Sequence, residues 1–222
     1  LDLSKVDAVV ISHHHHDHGG GLARFLQEND RARVYLRESP TEDFVADSPP
    51  DPLRYIGLNK ALFNDHHERI EMVSDNQEVA PGLHLLTDIP DQFPKPEGDI
   101  HLQVLRQDGG LQPDEFKHEI ATVIEGQSGL VLLTGCAHQG VLNMLVAAKK
   151  AFPDKPIQAV VGGFHLHHED LGVVKQVGES LLGENIPLIY SGHCTGNKAM
   201  CLLEAGLGNR FQKLFTGRVI VL

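Results

Sequence analysis

The stretch Val6-Asp-Ala-Val-Val-Ile-Ser12 is almost continuously apolar, the pattern of a strand buried on both faces. Residues 20–29 follow with Leu22, Phe25 and Leu26 on one helical face, and Ala32–Leu36 predicts a second strand. Strand, loop, helix and strand in that order open an α/β arrangement. Residues 38–65 break the pattern: Pro40, Pro49, Pro50 and Pro52, with acids between them, predict an irregular excursion of the kind that often serves as a lid. Val79–Thr87 carries a Pro-Gly turn and a short strand on which His84 alternates with Leu83 and Leu85. Residues 88–118 predict a second loop-rich excursion, marked by Pro90, Pro94, Pro96, Gly109, Gly110 and Pro113. Ile120–Ile124 and Leu130–Leu133 then read as two strands joined by a turn. Beyond them come a helix over 141–152 stopped by Pro153, a strand at 157–161, a helix over 169–183 and a strand at 186–190. A helix over 197–205 and a closing strand, Gly217–Leu222, complete a chain read as one domain over 1–222.

Four of the predicted apolar strands end in a glycine-containing turn that carries histidine. The first holds His13, His15, Asp17 and His18 in a His-x-His-x-Asp-His pattern; the others hold His138, His165 and His193. Four histidines in a row also suit an engineered tag, but this run lies between a strand and a glycine-rich turn into a helix, as a native loop does. His13 and His15 stand two apart, so on extended backbone they project to one face, and the glycines then turn Asp17 and His18 toward a neighbouring position. His14 and His16, at the intervening positions, point away. Imidazole with carboxylate suits zinc, iron or manganese. Ligands in α/β sheets collect beyond the carboxyl ends of strands. Four such ends on one rim offer six or seven ligands, enough for two ions, where a structural zinc takes about four. His167 and His168 read as a solvated helix start, Cys194, next to a ligand, equally as a thiolate near the metal or as buried packing, and Cys201 as core.

Composition narrows the partners. The 222 residues carry a formal net charge of −11, against broad binding to nucleic acid or an anionic membrane. Hydrophobic residues at 41% and charged residues at 22% are ordinary for a globular protein, whereas fifteen histidines are not. Three cysteines, Cys136, Cys194 and Cys201, predict no disulfide framework, and with no membrane span or signal peptide legible the expected location is the cytoplasm. A small-molecule substrate is expected, with no nucleic-acid or membrane partner; a homo-oligomer is left open.

The loop Ser12-His-x-His-x-Asp-His18-x-Gly-Gly resembles the signature of the metallo-β-lactamase fold superfamily. Thr134-Gly-Cys-Ala-His138, Gly162-Gly-Phe-His-Leu166 and Ser191-Gly-His-Cys-Thr-Gly196 resemble its branch of dihydropterin ribofuranosylaminobenzene phosphate synthases, over essentially the whole chain from residue 3. The resemblance implies an αββα sandwich of two mixed sheets with helices outside, here without its first N-terminal strands. It implies two divalent ions, zinc first and iron or manganese as alternatives. His13, His15 and His138 match ligands of one ion, and Asp17, His18 and His193 ligands of the other. The bridging Asp of the superfamily has no counterpart; His165 ranks first in its place, Cys136 second and His118 third. Asp17 is also the expected catalytic residue, orienting a nucleophile generated by the metals. Gly192–Lys198, a glycine turn entering a helix, suggests a phosphate site to which Lys198 adds charge. The implied activity is that of a metal-dependent hydrolase or transferase acting on a small phosphorylated or pterin-like, methanopterin-related substrate. The alternatives are a generic metallo-hydrolase of phosphodiester or acyl bonds, and a non-catalytic metal-binding protein.

Overall fold

The computed structural model describes residues 2–38 and 43–221, and the chain folds as two compact units. The first comprises residues 1–74 and 99–120, the second residues 75–98 and 121–222.

In the first unit, β1 (Ala8–Ile11), β2 (Arg33–Arg37) and β5 (Ile70–Val73) form a parallel three-stranded sheet in the order β1-β2-β5. Ile11, Val34, Leu36 and Ile70 pack there with Leu22 and Leu26 of helix α2 (Leu22–Glu28), the apolar stripe read from the sequence. Asn29 ends that helix. Its amide donates to the carbonyls of Leu3 (2.8 Å) and Val6 (2.9 Å), while its side-chain oxygen accepts from the backbone of Arg31 and Ala32. A buried amide that satisfies four backbone groups holds the entry to β1 and the exit to β2 together.

The two proline-rich excursions are more ordered than their composition predicts. They supply β3 (Asp43–Ala46), β4 (Arg54–Tyr55), β8 (Leu102–Leu105) and β9 (Leu111–Pro113), an antiparallel sheet in the order β4-β3-β8-β9, and a short helix α3 (Ala61–Asp65). Residues 39–42, including Pro40, lie outside the described residues. These strands span two to four residues and β9 ends on proline at a sheet edge, where a missing N–H costs no ladder bond. Pieces so short carry no readable period, and the central pairing, β3 with β8, joins segments far apart in sequence.

The second unit is a seven-stranded mixed sheet in the order β14-β13-β12-β11-β10-β7-β6. Hairpins β6 (Gln77–Ala80) with β7 (Leu83–Leu86), and β10 (Ala121–Gly126) with β11 (Gly129–Leu133), make its antiparallel half. Strand β11 pairs in parallel with β12 (Ile157–Gly162), β12 with β13 (Leu188–Ser191), and β13 with β14 (Phe211–Lys213). Helices α4 (Val141–Ala151), α5 (Leu171–Gly183) and α6 (Asn197–Leu207) cross between the parallel strands. Leu130, Leu132, Val160 and Ile189 are buried in one core with Met144, Leu145, Val174, Leu181 and Leu203. The Asp170 side chain caps α5 by accepting from the Gly172 N–H at 2.7 Å. The C-terminal strand falls at 211–213 and not at Gly217–Leu222: Phe211 is buried, whereas Val219 and Val221 are exposed, and Leu222 lies outside the described residues.

The α/β class read from the sequence therefore stands; among the described residues the strands form three hydrogen-bonded sheets where two were expected, and only the seven-stranded one is mixed. Among the described residues no helix is long and apolar enough to cross a membrane.

Candidate metal centre

The first unit contributes the histidine run. Beyond β1 the chain does not stay extended as the spacing suggested: it bends at His13 and His14. His15 bridges to Gly57, and His16–Gly19 coil into one helical turn, α1, ahead of the glycines. This turn, and not a glycine bend, brings His18 back: its ring centroid lies 4.1 Å from that of His13, and His13 lies 4.6 Å from His15. His13 and His15 are buried; Asp17 is exposed, its Oδ2 3.5 Å from His18 Nε2. His13, His15 and His18 thus lie close together, with Asp17 beside His18.

The intervening histidines part company. His16 faces solvent, as expected. His14 is buried beside Phe44 and Phe63, and its Nε2 donates to the Arg37 carbonyl at 2.8 Å. Burial pushes its pKa down to about 4, against the opposing hydrogen bond to Arg37. Below about 6.5 the unfolded chain then takes up a proton that the folded chain does not, so stability falls with pH from about 6.5 to about 4, by up to roughly 3 kcal/mol. His14→Gln is expected to flatten that part of the curve. Urea midpoints of both proteins at pH 7 and pH 4.5 check it, and equal losses on acidification contradict it.

His118, the third-ranked bridging ligand, has both ring nitrogens engaged. Nδ1 accepts from the His14 N–H at 3.1 Å, so Nε2 carries the proton toward Asp114 Oδ2, 3.0 Å away, with both side chains buried. Its donor atom comes within 4.8 Å of those of His15 and Asp114, but proximity alone leaves no lone pair to offer. His118 acts as a strut that holds the histidine loop, and Asp114 is the partner that sequence reading missed.

In the second unit the site follows from strand order. β11, β12 and β13 are adjacent and parallel, so the loops after them, carrying His138, His165 and His193, leave one sheet edge about 4.8 Å apart. Strand β1 belongs to a different sheet. Cross-ties fix the three loops to one another. Thr134 Oγ1 donates to Gly163 O (2.9 Å), Gly163 N to Gly135 O (2.9 Å), Phe164 N to Thr195 Oγ1 (3.0 Å) and Ser191 Oγ to Gly162 O (2.9 Å).

His138 and His165 are buried with ring centroids 4.3 Å apart, and His193 is exposed. One ligand atom each from Cys136, His138 and His165 lie within 4.8 Å of one another, as do those from Cys136, His193 and Cys194. Ala137, His165 and His193 have φ of 58°, 48° and 51°, a left-handed backbone that costs a residue with a Cβ on the order of 1 kcal/mol. Strain is thus gathered among the candidate donors. The Cys194 thiol is held well below its usual pKa, first by hydrogen bonding to Cys136 and also by His165, against burial.

Lys198 lies exposed in the first turn of α6, in a shallow, largely apolar groove with Leu171, Asn197, Cys201, Leu202 and Ala205. His167 and His168 are exposed, with ring centroids 3.7 Å apart and ring planes tilted by 45°. Cys201, expected in the core, is exposed. A cavity of about 220 Å³ opens beside the third motif, lined by Val141, Leu142, Phe164, Leu166, Val173 and Val177, with Glu97, Glu169 and Gln176 supplying polar atoms. Nothing in the sequence pattern announced it, because its lining comes from four separate segments.

Clustered imidazole, thiol and carboxylate donors fit divalent metal ions. No family model matches the chain. It is 29% identical over 228 residues, covering 99% of this chain and 76% of the relative, to the 7,8-dihydropterin-6-methyl-4-(β-D-ribofuranosyl)-aminobenzene-5′-phosphate synthase of Methanocaldococcus jannaschii. An uncharacterized protein of the same organism is 25% identical, over 89% of this chain and 72% of its own. Among solved structures, Tm1679, described as a metal-dependent hydrolase of the beta-lactamase superfamily, matches with a TM-score of 0.81 and 27% identity, over 96% of this chain and 78% of its own. Zn(2+)-bound PqqB from Methylobacterium extorquens matches in fold, with a TM-score of 0.52 and 16% identity over 97% of this chain and 73% of its own. Homology and fold together support a metal-dependent enzyme. The chain has the metallo-β-lactamase fold, its structural neighbours are members of that superfamily, and a curated homologue is the dihydropterin ribofuranosylaminobenzene phosphate synthase.

Proposed function

We propose that the chain is a binuclear metal-dependent enzyme acting on a small phosphorylated, pterin-like substrate. The observation that carries this reading is the gathering of donors at the ends of adjacent parallel strands, with ligand atoms mutually within 4.8 Å in the second unit. In this reading His13, His15 and His138 hold one ion, Asp17, His18 and His193 the other, and His165 takes the bridging place. Divalent ions so held supply Lewis-acid activation of water or of a phosphate leaving group. Asp17, exposed and 3.5 Å from His18 Nε2, orients the nucleophile and receives its proton at Oδ2. His118 holds the His14 backbone, and through it the flanking ligands, in place.

By its name, the homologue's product joins a dihydropterin to an aminobenzene ribofuranosyl phosphate. The cavity beside His165 suits the flat ring of such a substrate: Phe164 and Leu166 flank that histidine, and Gln176 with the two glutamates offers hydrogen bonds to ring nitrogens. Val177→Trp, which fills the cavity, is expected to raise KM about tenfold, the equivalent of 1.4 kcal/mol of lost contact, without changing metal content. Gln176→Leu provides a milder version. Unchanged KM in both variants rules out this cavity as the ring's site.

A second reading, plain hydrolysis of a phosphodiester or acyl bond, is favoured by the description of Tm1679. Metal analysis paired with turnover of phosphorylated dihydropterins, with an arylamine present or absent, and of bis-p-nitrophenyl phosphate separates the two. Arylamine-dependent turnover supports the synthase reading and amine-independent cleavage the hydrolase. Neither, in metal-loaded protein, refutes both.

A further inference from the structure

Two of the three strand-end motifs in the second unit carry a cysteine close to the histidine, Cys136 two residues before His138 and Cys194 one residue after His193. Packing would account for either alone. Their placement together says more. Cys136 belongs to both donor groups of this unit, the one with His138 and His165 and the one with His193 and Cys194. Each group has its ligand atoms within 4.8 Å of one another. Sulfur and nitrogen bound to one tetrahedral ion at ~2.3 and ~2.0 Å stand about 3.5 Å apart, so small side-chain rotations suffice to close either group on an ion.

The fold also makes room for the second sulfur. A Cβ on Gly163 would stand 2.6 Å from Cys194 Sγ, 2.7 Å from Gly135 O and 3.3 Å from the Cα of Cys136. The missing side chain leaves a recess in which Cys194 Sγ lies, 3.5 Å from the Cys136 carbonyl. The donor atoms of Cys136 and His193 lie within 4.8 Å of this sulfur, polar company for a thiol that in a core would have aliphatic neighbours.

We infer that Cys136 and Cys194 are metal ligands, Cys136 shared between the two donor groups, so that the second unit offers sulfur as well as nitrogen and favours thiophilic divalent ions over manganese or magnesium. The inference rests on the metal-dependent reading above. It departs from the ranking that places His165 ahead of Cys136 in the bridging position, and it decides between the two roles left open for Cys194.

Cobalt(II) loaded into the metal-stripped protein tests it. The inference requires sulfur-to-cobalt charge-transfer absorption in the near ultraviolet alongside the visible ligand-field bands. Cys136→Ser and Cys194→Ser should each lower that absorption by about half, and Cys201→Ser should leave it unchanged. Ligand-field bands without charge transfer overturn the inference while leaving a nitrogen and oxygen metal site intact; absence of any cobalt band overturns both. Because a serine variant can misfold, iodoacetamide labelling of the unmodified protein supplies an independent measurement. Cys194 should be protected with zinc bound and alkylated at least tenfold faster after chelation, whereas exposed Cys201 reacts equally in both. Equal Cys194 rates with and without zinc overturn the inference.

Discussion

Gly162→Ala is expected to destabilise the protein by at least about 3 kcal/mol, an overpacking cost joined to backbone strain. Gly162 ends β12 with φ of 147°, a conformation L side chains rarely adopt. A Cβ there would overlap the carbonyl oxygen and Oγ1 of Thr134 and lie 2.8 Å from its carbonyl carbon. Thr134 cannot retreat, because its N–H donates to Val161 O at 2.9 Å and its hydroxyl to Gly163 O at 2.9 Å. The same ties position the loops that carry His138 and His165, so metal retention should fall together with stability. Gly183, near the end of α5, has nothing within 4 Å of its Cβ position, and Gly183→Ala should be neutral or stabilising by up to about 1 kcal/mol. Urea denaturation of the three proteins decides the matter. A Gly162→Ala midpoint equal to wild type would mean that β11 and β12 leave room at their ends for a side chain.

The largest functional effect is expected from His13→Ala and His138→Ala. Loss of a partner that merely orients a ligand costs about 10–100-fold, so removal of a ligand itself should lower turnover by more than about 100-fold, or roughly 2.7 kcal/mol. Bound metal, measured by elemental analysis, should fall in both variants. His16 is exposed and sits between ligands in sequence, and His16→Ala should change turnover by less than about twofold. Loss of activity in His16→Ala as great as in His13→Ala would sink the interleaved assignment of the run.

The elements that bury a continuous stripe were legible from local order alone. The strands at 8–11, 129–133, 157–162 and 188–191 and the helices at 22–28, 141–151, 171–183 and 197–207 follow from apolar periodicity and glycine or proline stops. So was the recurrence of histidine at strand ends, because chain direction places those residues next in sequence to an apolar run. The short strands at 43–46, 54–55, 102–105 and 111–113 were not legible, since two to four residues show no period and the central pair, 43–46 with 102–105, joins segments tens of residues apart. Nor was the 211–213 strand, chosen over the more apolar 217–221 because Phe211 reaches the core.

Within the site, sequence determined which residue types were available and tertiary structure decided what each does. His14 and His118 have the same side chain as the candidate ligands, yet each is tied to the protein, His14 by Arg37 O and His118 by Asp114 and the His14 backbone. Cys136 and Cys194 lie 58 residues apart and meet only because β11, β12 and β13 are parallel neighbours and Gly163 lacks a side chain. Spacing along a chain encodes which residues share a strand end. Which nitrogen or sulfur keeps a lone pair for a metal depends on hydrogen-bond partners brought by other strands, and only the folded structure supplies those.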